Sequence, residues 1–150
     1  MKRRLPAIWT MPISKQFIVT CFRMFYDWAG EARTARISKD NSMSCYPGNI
    51  DVEATKLFAK LKTDKFMQGL SAKDFAKQTA HFLAELNAIH AFREGNGRAQ
   101  LSFFLLLADQ AGHPLDFDHF DPDAFLEAMI VSFGGDEASL ANLVEGLVAE

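Results

Sequence analysis

The chain has 150 residues, 49% of them apolar, with 14 phenylalanines and a formal net charge of −3. That length suits one domain with a substantial core, the charge argues against a general nucleic-acid or membrane-surface binder, and no apolar run approaches the roughly twenty residues of a membrane span. Two cysteines in unlike contexts, Cys21 and Cys45, and four histidines without CxxC or HExxH spacing read as reduced thiols in a cytoplasmic protein lacking a structural zinc site.

The opening MKRRLPAIWTMPIS starts basic, but Pro6 cuts it and no long apolar core follows. Residues 1–13 therefore read as an arm and not a signal peptide, and residues 14–150 as the core domain. A helix is expected from an N-cap at Ser14 to a stop at Gly30, with Phe17, Cys21, Met24, Phe25 and Trp28 forming its buried stripe and Tyr26 and Trp28 packing the core. EARTARISKDNSMSCYPGNI follows, with alternation from Arg33 to Ile37, a polar turn at Lys39-Asp40-Asn41 and a second extended piece ending at Pro47-Gly48. This predicts a β-hairpin. A helix is predicted from about Asp51. Another starts at the capping pattern Ser71-x-x-Asp74 and carries apolar residues at Phe75, Ala76, Ala80, Phe82, Leu83, Leu86 and Ile89. RAQLSFFLLLADQAG is apolar on nearly every side, which predicts a central helix, ended by Gly112-His113-Pro114. Asp121 and Pro122 cap and start the next helix, and DEASLANLVEGLVAE forms the last. His81 reads as a surface or packing residue, His113 as part of a turn, and His119 as part of a solvated acidic turn. The sum is an all-α bundle with one small hairpin.

Between the pattern that starts at Ser71 and the apolar helix pattern lies HAFREGNGRAQL, residues 90–101. Gly95-Asn96-Gly97 falls at the start of the apolar helix, where backbone N–H groups lack intrahelical partners and the helix dipole is positive. Glycines let the backbone curl into a nest for an anion such as phosphate, and Arg98 adds a planar cationic fork. His90 has the ordinary pKa of a general base near neutrality, and Glu94 is a hard oxygen ligand suited to Mg²⁺. Base, metal carboxylate and anion nest within nine residues are the parts needed to transfer a phosphorus-centred group.

These residues resemble the Fic motif, His-x-Phe-x-(Asp/Glu)-Gly-Asn-Gly-Arg-x-x-Arg, matching at His90, Phe92, Glu94, Gly95, Asn96, Gly97 and Arg98. FYDWAGEARTARISKDNSM is similar to the segment leading into the Fic flap hairpin, and the likeness runs from about Phe17 to the last helix. The resemblance implies a Fic-type helical bundle with a β-hairpin flap at about residues 37–50. It implies a nucleotidyltransferase that moves AMP from ATP to a Ser, Thr or Tyr hydroxyl of another protein. In that reading His90 deprotonates the hydroxyl, Glu94 holds Mg²⁺, and Gly95, Asn96, Gly97 and Arg98 take the phosphates. Phe92 anchors the loop. The flap clamps an extended target segment by strand addition, with Lys39 or Met43 touching nucleotide or target. Relatives include bacterial toxins controlled by a small antitoxin or regulatory partner, and secreted effectors of which such a chain could be a fragment.

Two departures stand out. Ala91 replaces the usual proline, and Leu101 stands where the family's second arginine binds the terminal phosphate and pairs with an inhibitory glutamate. Leu101 therefore implies weaker or altered donor binding, or simply an extension of the buried LSFFLLL face. The inhibitory pattern (Ser/Thr)-x-x-x-Glu-(Gly/Asn) is half present in ANLVEG, where Glu145 and Gly146 fit but Ala141 does not. Two rival readings stay open: a different nucleotide donor or a Doc-type phosphoryl transfer, and a degenerate nucleotide- or partner-binding module. If Leu101 weakens the donor contact, Leu101→Arg raises donor affinity or transfer rate in a labelling assay. Unchanged values leave Leu101 as a core residue alone.

Overall fold

The computed structural model describes residues 31–39, 42–93 and 95–149. The helix expected over residues 14–30, the arm before it, the turn residues Asp40 and Asn41, and Glu94 lie outside the described residues. Within them the protein is mostly helical. A short antiparallel pair, β1 (Ser38–Lys39) and β2 (Ser42–Met43), sets Ser38 opposite Met43 and Lys39 opposite Ser42. It is followed by α1 (Ile50–Thr63), α2 (Ala72–Ile89), α3 (Asn96–Ala111), α4 (Pro122–Phe133) and α5 (Ala138–Leu147).

The strand pair is shorter than the alternation from Arg33 to Ile37 suggests, and Lys39 belongs to a strand and not to the turn. One further bond, Ser44 N–H to Ile37 O at 3.1 Å, prolongs the pairing. Arg33 lies outside the strands and is buried. Its inward side chain finds backbone carbonyls to bind, so the apparent hairpin alternation ends early.

The helix boundaries follow local chemistry. The Ser71 hydroxyl accepts the Asp74 N–H at 3.1 Å, and the Asp121 carboxylate accepts from Asp123 and Ala124 N–H at 3.0 and 3.1 Å, with Pro122 at the first helical position. Each side chain satisfies donors that the first helical turn leaves without a partner. Gly112, at φ 83°, ends α3 in the left-handed conformation that a glycine takes without a Cβ clash. His113 does more than turn the chain: its Nε2 lies 2.9 Å from Leu70 O and its ring stacks on Phe75 with centroids 4.6 Å apart. His81 is exposed and meets Glu137 at 3.0 Å, linking α2 to the start of α5.

Among the described residues the central helix is α2, not the greasier α3. It packs against each of the other four helices, while Leu105 (41% exposed) and Leu106 (39%) of α3 face outward among the described residues. Side-chain size explains the difference. Buried Ala76, Ala80 and Ala84 let neighbours approach α2 from several sides, whereas bulky leucines hold neighbours away. Phe58, Phe82 and Phe103 then lock α1, α2 and α3 together, with centroids 5.3 to 5.7 Å apart. A smaller cluster of Ile50, Ala54, Ile89, Ala91, Phe92 and Ala99 lies directly beneath the α2–α3 loop.

Because Ala80 is fully buried on the crowded face of α2, Ala80→Leu overpacks the core. It is expected to lower unfolding stability by about 1–3 kcal/mol in a urea titration. A wild-type midpoint would contradict this packing.

Candidate active site

The site begins where α2 stops. His90 caps the helix at φ 45°, ψ 59°, a left-handed conformation that costs a non-glycine residue roughly 1–2 kcal/mol. Its N–H still donates to Leu86 O at 3.1 Å. Such strain persists only where the surroundings hold it in place, and here they do.

The last carbonyls of α2 have no N–H donors within the helix. Cys45 N–H donates to Ala88 O at 3.0 Å. Arg33 supplies most of the remaining donors. Its Nε donates to His90 O at 2.7 Å and its Nη2 to Ile89 O at 3.2 Å, while its backbone N–H reaches Ala91 O at 2.9 Å. On the other side Nη2 donates to Cys45 O at 2.6 Å and Nη1 to Ala35 O at 2.9 Å. Arg33 is 3% exposed. Burial lowers its pKa, opposed by the nearby Cys45 sulfur, a half-buried free thiol. Among the described residues no carboxylate pairs with it. Its charge is met by carbonyl dipoles at the negative end of α2.

Beyond His90 the loop folds over the small cluster. Phe92 is buried there, as an anchor should be. Asn96 is buried as well, and its amide closes the loop: Oδ1 accepts Phe92 N–H at 3.0 Å and Nδ2 donates to Phe92 O at 2.6 Å. The Asn96 side chain thus serves the loop itself. Gly95 sits at φ 82°, where glycine avoids strain, and its carbonyl takes the first helical bond, from Ala99 N–H at 2.9 Å. The N–H groups of Asn96 and Gly97 precede that first bond and have no acceptor within α3. Gly97 and Arg98 are exposed, and a Cβ on Gly97 would meet nothing within 4 Å. The protein leaves this space open although a helical glycine costs stability. A bare backbone beside open space, at the positive end of a helix, fits a phosphate.

Leu101, one turn on, is half-buried and packs against the main core. Gln100 is buried and donates to Asn87 Oδ1 at 3.4 Å, and Asn87 Nδ2 reaches Met129 O at 3.3 Å, so α3, α2 and α4 share one polar chain beneath the site. Met43 is 58% exposed on β2, two residues from the Cys45 attachment to α2, and Lys39 pairs with Ser42 across the hairpin. Glu145 is not brought to this site. It lies exposed near the end of α5, which is tied to the segment after α3 by Asp116 N–H to Leu147 O (2.8 Å) and Ala149 N–H to Pro114 O (2.9 Å). The 16 residues of α3, roughly 24 Å of helix, separate that end from Gly95. His119 is an exposed turn residue, and among the described residues no three histidine, cysteine or acidic side chains gather to hold a metal.

The Fic/DOC family profile matches residues 13–108. The chain belongs to the Fic/DOC family. A probable protein adenylyltransferase, y4lH of Sinorhizobium fredii, is 45% identical over 128 residues, covering 85% of this chain and 67% of that protein. The protein adenylyltransferase VbhT of Bartonella schoenbuchensis is 34% identical over 125 residues, covering 83% of this chain and 26% of VbhT. Among solved structures, the VirB-translocated effector BepC of Bartonella tribocorum, with bound AMPPNP, superposes with a TM-score of 0.83 at 23% identity. That match covers 94% of this chain and 75% of the other. The N-terminal Fic domain of a Bartonella quintana cell filamentation protein, with bound ADP, gives 0.86 at 23% identity, covering 96% and 75%. These structures share the Fic fold.

Sequence reasoning passed over Arg33, Asn87 and Gln100. The one available signal for Arg33 was its parity with Ile37 in the alternating stretch, which puts an arginine on the inward side. Asn87 and Gln100 look like ordinary polar positions on helices.

The open space at Gly97 yields a test. Gly97→Ala is expected to leave unfolding stability unchanged or raise it by up to about 1 kcal/mol, since alanine is the better helix former. It is also expected to weaken ATP binding measured by calorimetry. Equal ATP affinity would show that no ligand uses this space.

Proposed function

We propose that this protein transfers AMP from ATP to a Ser, Thr or Tyr hydroxyl of a target protein. The enzyme class comes with the family and its curated relatives: it is a nucleotidyltransferase of the protein-adenylylating kind. Nucleotide binding accords with AMPPNP and ADP in Fic structures of the same fold. The observation that carries the reading is the short, internally braced loop between His90 and the head of α3. The Asn96–Phe92 pair braces the turn that carries the anion nest, two residues beyond His90.

In the reaction, the target hydroxyl oxygen forms a bond to the α-phosphorus of ATP, and the bond to the pyrophosphate oxygen breaks. The imidazole of His90 takes the hydroxyl proton. The N–H groups of Asn96 and Gly97, with the Arg98 guanidinium, stabilise the charge on the phosphates as the transfer proceeds. Gly95 supplies the turn that aims those amides. Glu94 is the hard oxygen ligand through which Mg²⁺ would be held; when bound, the ion neutralises phosphate charge. With Leu101 packed on the core, position 101 offers the terminal phosphate no cation, and donor binding rests on the nest and Arg98.

The hairpin around Lys39 and Met43 serves as the docking flap, where an extended target segment adds as a strand. The catalytic unit comprises residues 14–150, with 1–13 as an arm. Among the described residues no helix is long and apolar enough to cross a membrane, and use of ATP suits reaction in a cytoplasm. Control is left to a separate partner protein, or the chain is without control of this kind.

Incubation with a cell lysate and either α- or γ-labelled ATP tests the reading. Protein should take up α-label and no γ-label; γ-label would mean phosphoryl transfer, and no label a binding module or a different nucleotide donor. His90→Ala should cut α-labelling on the order of a hundredfold to ten-thousandfold while the unfolding midpoint holds. Undiminished labelling would remove His90 from the mechanism.

A further inference from the structure

We propose that Arg33 is a positioning residue that fixes the docking hairpin and the catalytic histidine to one point. The inference rests on the functional reading above and goes beyond it.

A single guanidinium holds two sets of backbone carbonyls. One set, Ile89 O and His90 O, belongs to the end of α2 that carries the base. The other, Ala35 O and Cys45 O, belongs to the two chain segments entering and leaving the hairpin. The backbone adds Arg33 N–H to Ala91 O and Cys45 N–H to Ala88 O. A residue that merely capped α2 would need only the first set. By bonding both, Arg33 makes the distance between hairpin edge and imidazole a property of one planar, five-donor group. A strand paired to the hairpin edge then presents its hydroxyl at a distance from His90 that the clamp sets. His90 also keeps its left-handed backbone because its carbonyl is held at 2.7 Å. Lysine has a single nitrogen and cannot span four carbonyls in a plane.

The nest is braced separately, by Asn96 on Phe92, so the two functions can be separated by mutation. In the full chain, Arg33→Met should leave ATP affinity unchanged by calorimetry. It should lower kcat for α-label transfer on the order of a hundredfold, the usual cost of an ångström-scale misplacement. Arg33→Lys should recover part of that loss. Amide hydrogen exchange should quicken at Arg33 and Cys45 and stay as in wild type in α4 and α5. Wild-type kcat, or wild-type exchange at Cys45, overturns the proposal. So does parallel loss of ATP binding and of protection throughout the core, which marks a purely structural residue. If Arg33→Met does not fold, Arg33→Lys decides: a lowered kcat with intact ATP affinity supports positioning, and a wild-type kcat refutes it. Wild-type protein that labels no target sinks the functional reading instead, and the exchange of Cys45 in Arg33→Lys still judges the clamp.

Discussion

The end of α2 presents more carbonyl oxygens than its own helix can bond, and the surrounding structure follows from how they are satisfied. Ile89, Ala91 and Phe92 are buried there. An unpaired buried carbonyl costs on the order of 1–3 kcal/mol, so donors must be supplied from elsewhere in the chain. Arg33 and the Cys45 amide supply them. The cost of burying a guanidinium is offset by four carbonyls and by the negative end of the helix dipole. The hairpin is drawn against the helix as a consequence, and a strained histidine is held in place between them.

The loop after His90 meets a related demand from the opposite direction. The head of α3 has N–H groups without acceptors inside the helix, while the loop before it is satisfied by Asn96. Asn96 spends its side chain on Phe92. Gly95 takes the backbone conformation and Gly97 keeps the space clear. Two adjacent helix ends of opposite polarity thus meet at this loop: the negative end of α2 is closed by Arg33 and the Cys45 amide, and the positive end of α3 lies beside open space at Gly97.

The motif itself was legible in the chain, because each of its residue types answers a local need: glycine for φ and clearance, asparagine for a short amide reaching four residues back, phenylalanine for the core. Ser71 and Asp121 were equally legible, since a cap acts within one turn of its own helix. Composition misled in one case. LSFFLLL promises the deepest helix, yet Leu105 and Leu106 face outward among the described residues while the alanine-bearing α2 takes the centre. Greasiness measures what a residue prefers, and small size decides how many neighbours can come close.

The sequence by itself determined the helical character, the caps, and the chemistry of the loop from His90 to Leu101. These rest on interactions that span a few residues and so leave a pattern in the chain. Tertiary structure decided which of the described helices is central, that Glu145 lies at the opposite end of α3 from Gly95, and that Arg33 joins the hairpin to His90. Those depend on contacts between residues such as 33 and 90, far apart along the chain, and local spacing carries no record of such a meeting.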